Sequence, residues 1–169
     1  MFRVGFGEDI HVLKEGVPLI IGGVTVPSER GAVSHTDGDV LLHSICDALL
    51  GAASLPDIGT LFPDTDPSIK NTPSTILLKK VSQIIYSKNY YIVNIDSTVF
   101  LEEPRIGKYI PEIKKNIAAI LSIPEENVSV KAATYEKMGP VGEKKAILAR
   151  SVVLIGKKEY GNKPSPQTI

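Results

Sequence analysis

The sequence predicts an α+β protein: a mixed four-stranded sheet with helices on one face, folded as a single domain. Three observations carry this. Strand-period segments open and close the chain, at residues 2–11 and 146–157. Two helix-period segments follow one another over 37–53 and 74–88, ahead of a strand at 91–101. A further helical stretch, 104–121 with an irregular start, separates that strand from another at 127–136. The order β, helix, helix, β, helix, β, β suits one sheet layer covered by one helix layer.

Within residues 2–11, Val4, Phe6 and Ile10 point one way, while Arg3, Gly5, Gly7, Asp9 and His11 point the other. Asp9 and His11 therefore share a face, and Gly5 and Gly7 leave it open to the close approach of a ligand. Pro18–Pro27 reads as two short strands around Gly22-Gly23. Asp37–Ala53 reads as a helix with Thr36 or Asp37 as N-cap and an apolar stripe of Leu41, Ile45, Leu49 and Ala52. Asp39, His43 and Asp47, each four residues apart, form a polar stripe on another side. Ser54–Pro73, rich in Pro, Asp and Thr, reads as a long loop of the kind that is functional or mobile. Lys137–Lys145 reads as a shorter loop, and the domain spans 1–157, with 158–169 as a flexible tail.

Composition narrows the function. Lys+Arg and Asp+Glu are both 19, so there is no basic field to recruit nucleic acid. One cysteine, Cys46, excludes an internal disulfide and a thiolate metal cluster, and its place in the helix makes it a core thiol. No apolar run is long enough for a bilayer, so no membrane partner is expected. Met1 leads straight into the strand pattern without a signal or transit peptide. The expectation is a cytoplasmic protein of bacterial type; a plastid or apicoplast protein freed of its transit peptide fits the same sequence.

All three histidines fall in the first 43 residues, each beside carboxylates. Asp9 and His11 on a strand, with His43 on a helix, offer three metal ligands from two rigid elements. A tetrahedral zinc bound that way keeps a fourth position for water or substrate. The competing reading is a satisfied core histidine beside a surface aspartate. Asp39 or Asp47 is placed to take the second ring nitrogen of His43. His35-Thr36, ahead of a helix start, suits phosphate as well as simple capping. Asp57-Ile58-Gly59 and Phe62-Pro63-Asp64-Thr65-Asp66 could accept ribose hydroxyls or form Asx turns. Thr134 and Glu136 share a strand face, and a carboxylate there suits either magnesium or plain solvent.

Taken together, these motifs resemble the 2-C-methyl-D-erythritol 2,4-cyclodiphosphate synthase family. The matching text is Gly7-x-Asp9-x-His11, Ile20-Ile21-Gly22-Gly23-Val24, His35-Thr36-Asp37-Gly38-Asp39-Val40, His43, Asp47–Ala52, Asp57-Ile58-Gly59, Leu61–Pro67 and Lys131-Ala132-x-Thr134-x-Glu136-Lys137. The resemblance runs from about residue 2 to 157. It implies a homotrimer with sheets facing the threefold axis and active sites between subunits. It implies cyclisation of 4-diphosphocytidyl-2-C-methyl-D-erythritol 2-phosphate with loss of CMP. Asp9, His11 and His43 would hold zinc or another divalent transition metal, and Glu136 magnesium or manganese. His35 and Thr134 would stabilise the transition state, and Asp57 and Gly59 would hold ribose. Substrate would also meet Ile10, Thr36, Ile58, the 62–66 segment and Ala133-Thr134-Tyr135-Glu136. Leu101-Glu102-Glu103-Pro104-Arg105-Ile106-Gly107 would enclose cytosine, mainly through backbone. A zinc-dependent phosphohydrolase of a cytidine diphosphate ester is the alternative. The chain departs from the common pattern at Gly5, Glu8, Ala133, Glu143 and Arg150, from which Arg150 is expected to pair with Glu8 or Glu143.

Overall fold

The structure is a computed structural model and describes residues 1–157; the expected tail, 158–169, lies outside the described residues. The chain runs β1 (Phe2–Glu15), β2 (Leu19–Ile21), β3 (Val24–Val26), β4 (Arg30–Ala32), α1 (Val40–Ala52), α2 (Ile58–Leu61), α3 (Ser74–Ser87) and β5 (Tyr90–Phe100). It continues with α4 (Ile110–Leu121), β6 (Val128–Ala133), α5 (Gly139–Gly142) and β7 (Ala146–Lys157). The α+β class and the helices on one face are as expected. The sheet has five strands rather than four, in the order β4-β1-β7-β5-β6. The extra strand is β4, which pairs antiparallel with the end of β1 through Leu13↔Ala32, Lys14↔Gly31 and Glu15↔Arg30. Only β5 and β6 run parallel, and β1, β7 and β5 are antiparallel neighbours. The hairpin of β2 and β3 stands apart, turning on Gly22 and Gly23 at φ of 61° and 74°.

The core lies between the sheet and α1. Leu41, Leu42, Ile45, Leu49 and Leu50 are all fully buried, so α1 is apolar nearly all round and is enclosed by β1 and β7 on one side and α3 on the other. Each such side chain contributes about 1.5–3 kcal/mol by burial. Cys46 is part of this core, as expected.

Gly5 and Gly7 have a different purpose from the one expected. They open the inner face of β1 to α1, not to a ligand. A Cβ on Gly5 would lie 1.8 Å from the Ala48 carbonyl oxygen, and one on Gly7 would lie 2.1 Å from that of Ser44. Beneath Gly7 the hydroxyls of Ser97, Ser151 and Ser44 form a buried chain with spacings of 2.8 and 2.7 Å, ending on the Leu41 carbonyl. Every member is satisfied, so the polar seam is compatible with the core.

The opposite face of β1 is apolar and open. Phe2, Val4, Phe6, Ile10 and Val12 are each more than half exposed. Glu8 interrupts this stripe and meets Arg150, its cross-strand partner, at 2.6 Å. Arg150 also lies over the Phe100 ring, 5.4 Å from its centroid. Glu143 pairs with Lys145 instead, at 2.6 Å. Among the described residues no helix is long and apolar enough to cross a membrane.

Candidate metal centre and active site

Asp9 and His11 lie two residues apart on β1, so both face α1. His43 comes from the first turn of α1. One ligand atom from each of the three lies within 4.8 Å of the others. Asp9 Oδ2 is 3.0 Å from His43 Nδ1, and Asp9 Oδ1 is 3.4 Å from His11 Nδ1. The helix can bring His43 this close because glycine at 5 and 7 lets its backbone rest on the strand. Burial alone would raise the Asp9 carboxyl, but hydrogen bonds and charge from His11 and His43 hold it at about 2. Burial tends to lower His11, and the Asp9 carboxylate more than reverses that. Two imidazole nitrogens and one carboxylate oxygen, converging with no thiolate, fit a catalytic zinc.

The remaining contacts of His43 differ from expectation. Its Nε2 meets Ser74 Oγ at 2.9 Å and Thr36 Oγ1 at 3.1 Å, not Asp39 or Asp47. Asp39 is instead the N-cap of α1, accepting from Leu42 N at 3.1 Å, and it also accepts from Gly22 N and Gly23 N at 3.0 and 2.6 Å. Neither Thr36 nor Asp37 caps α1, which begins three residues later than expected. Asp37 reaches α3, where it accepts from Ser74 N at 3.0 Å and from the Ser74 hydroxyl. Asp47 accepts from Ile58 N at 2.8 Å and so ties α2 to α1.

The three ligands open into a cavity of about 360 Å³. Of the expected substrate contacts, His35, Thr36, Ile58, Gly59, Phe62 and Asp64 line it. His35 Nε2 is buried with no hydrogen-bond partner among the described residues; where it carries the ring hydrogen, it is a donor without an acceptor. Ser34, Asp47, Ile69 and Leu77 also line the cavity, and sequence reasoning did not place them there. The expected loop 54–73 holds the short helix α2, capped by Asp57, whose Oδ1 accepts from Thr60 N at 2.7 Å. Asp66 makes a turn with Ser68 N at 2.9 Å. Asp57, Pro63, Thr65 and Asp66 do not line the cavity, and Ile10 points to the opposite face of β1, 51% exposed.

A separate cavity of about 390 Å³ is lined by Leu101, Pro104, Arg105, Ile106, Gly107, Ala133 and Thr134. Glu102 turns away to accept from Tyr135 N at 3.4 Å, and Glu103 pairs with Lys144 at 2.7 Å. The expected strand through Glu136 ends at Ala133. Thr134 and Glu136 therefore do not alternate on a strand. Glu136 and Lys137 both take left-handed φ, 50° and 64°, and the turn lets the Thr134 hydroxyl donate to Glu136 Oε1 at 2.8 Å.

Asp9 and His11 on a strand and His43 on a helix, opening into one cavity of a five-stranded α+β scaffold, define a class of protein with a candidate metal site. Residues 2–156 match the YgbB family, and the chain belongs to it. It is similar to a 2-C-methyl-D-erythritol 2,4-cyclodiphosphate synthase of Fusobacterium nucleatum, with 48% identity over 94% of this chain and 99% of that protein. It is also similar to the structure of IspF from Plasmodium falciparum in complex with CDP: 42% identity, TM-score 0.82, covering 94% of this chain and 97% of that one. A third likeness is to the bifunctional IspDF of Campylobacter jejuni, at 38% identity and TM-score 0.90. There the match covers 94% of this chain but only 43% of the longer one.

Proposed function

We propose that this chain converts 4-diphosphocytidyl-2-C-methyl-D-erythritol 2-phosphate into 2-C-methyl-D-erythritol 2,4-cyclodiphosphate and CMP, in the non-mevalonate route to isoprenoids. The observation that carries this is the convergence of Asp9, His11 and His43 on one cavity in a chain of the YgbB family. An oxygen of the substrate's 2-phosphate bonds to the β-phosphorus, and the bond from that phosphorus to the oxygen of CMP breaks. Both groups are already ionised phosphates, so no general base is required. Catalysis then rests on positioning and charge neutralisation.

Asp9, His11 and His43 would hold zinc or a similar divalent cation, which supplies positive charge and orientation at phosphate oxygens. Glu136 would hold magnesium or manganese among the phosphate oxygens of the substrate. His35 donates from its unpartnered Nε2 to a phosphate oxygen. The Thr134 hydroxyl, now on Glu136, turns to the developing charge when that carboxylate is taken up. Asp57, the cap of α2, and Gly59, which lines the cavity, would hold ribose. Phe62 and Asp64 of the 62–66 segment would border the erythritol, and Leu101 with Pro104–Gly107 would enclose cytosine. Incubating the zinc-loaded chain with the substrate should give the cyclic diphosphate and CMP, resolved by phosphorus NMR. A linear monophosphate would instead make the chain a zinc phosphohydrolase.

The same reading makes the chain a homotrimer, with the open sheet faces turned to the threefold axis. An apolar stripe from Phe2 to Val12 supports this, because a contiguous exposed patch of that kind marks an interaction surface. The two cavities support it as well: one has the zinc ligands, the other the 101–107 segment with Ala133 and Thr134, and neighbouring subunits would unite them. Chains carrying His43→Ala and chains carrying Glu136→Ala should each be nearly inactive. Mixed by refolding together, they should regain activity at roughly a quarter of the interfaces, those receiving two intact halves. No recovery, or a fully active monomer at dilution, would overturn the shared site. The bacterial relative is consistent with a cytoplasmic, bacterial-type protein.

A further inference from the structure

We propose that Ser74 and Asp37 are positioning residues for His43 and set the strength with which the site binds zinc; this rests on the zinc reading above. Ser74 is the first residue of α3, 31 positions from His43 in sequence, and is fully buried. Asp37 grips it twice, accepting from Ser74 N at 3.0 Å on one oxygen and from the Ser74 hydroxyl on the other. A carboxylate can only accept, so the hydroxyl hydrogen of Ser74 is committed to Asp37. Ser74 Oγ, 2.9 Å from His43 Nε2, is then left to accept, and the ring hydrogen belongs on Nε2.

That arrangement has a consequence on the far side of the ring. With a hydrogen on Nε2, it is Nδ1, hydrogen-bonded to the Asp9 carboxylate 3.0 Å away, that remains for a metal. A cation bound by both groups would take the place of the proton they share. The Asp37–Ser74 pair thus selects the tautomer that can ligate and fixes the ring plane. Thr36 Oγ1, 3.1 Å from the same nitrogen, is a second acceptor and keeps the ring from swinging. The carboxylate is placed one hydroxyl away from the imidazole, so its charge supports ligation while the ring itself meets a neutral oxygen.

The test uses the full chain, with zinc affinity measured by chelator competition. Ser74→Ala keeps the backbone N–H that Asp37 holds and removes the acceptor from Nε2. It should weaken zinc binding by about 10–100-fold, the usual loss for an outer partner of a metal-bound histidine. Asp37→Asn should weaken it as well, and serves alone if the alanine variant does not fold. Ser74→Thr, which restores the hydroxyl, should recover most of the affinity. Wild-type affinity in Ser74→Ala or Asp37→Asn would overturn the positioning role while leaving the zinc site standing. A threonine variant as weak as alanine would assign the loss to packing and overturn it too. A wild-type chain that binds no zinc would remove both this inference and the reading it rests on.

Discussion

His43→Ala is expected to strip the chain of zinc and of cyclising activity together. Asp9 and His11 share one strand and leave a cation with two protein ligands on one side only. His43 is the sole ligand from the helix, so its loss opens half of the coordination shell. The affinity should fall by more than the roughly 10–100-fold that an outer partner costs. Metal content by elemental analysis and product formation from the same preparation give the two readouts. Full zinc occupancy in the variant would reject the ligand set.

Gly7→Ala should produce a large loss of stability, because the added methyl meets helix backbone rather than side chain. The new Cβ would sit 2.1 Å from Ser44 O and 2.7 Å from Ala48 N, both atoms of the α1 backbone. A clash with a side chain can be relieved by a rotamer change; a clash with helix carbonyls requires the helix to lift. Overpacking a core costs about 1–3 kcal/mol, and this case belongs at or above the upper end. Lifting α1 also draws His43 away from Asp9, so zinc affinity should drop in parallel. Gly51→Ala is the matched control. Its nearest neighbour would be 3.9 Å away, and replacing glycine in a helix stabilises by about 1 kcal/mol. Urea denaturation of the zinc-free variants separates the two. A cost below about 1 kcal/mol for Gly7→Ala would show that the strand and helix are not locked at that point.

The long elements were legible because their periodicity extends over many residues. The last strand runs from Ala146 to Lys157 as read from sequence, α3 ends one residue early, and β5 is shifted one residue towards the N-terminus at both ends. The strand β4 was not legible: three residues, Arg30–Ala32, carry too little alternation to register. At β6 the alternation of Thr134 and Glu136 continued past the true end, because nothing in the letters marks Glu136 and Lys137 as left-handed. The zinc ligands could be read because two of them sit two apart on a strand and the third lies on the next long helix. The partner of His43 could not. Ser74 approaches from a helix 31 residues away, whereas Asp39 and Asp47 lie nearby on the same helical stripe but are engaged elsewhere. The glycines were noticed for the right property, absence of a side chain, but the group that needs the space is the neighbouring helix.

The sulfur chemistry of the chain has its own outcome. Its one thiol, Cys46, is sealed inside α1, and burial pushes it well above its ordinary range, so it stays protonated and unreactive. The candidate zinc ligands are nitrogen and oxygen only. Peroxide and disulfide stress release zinc from thiolate centres by oxidising the sulfur that holds it. Here that route has no sulfur to attack, so the metal site should withstand an oxidising cell that would empty a cysteine-bound one.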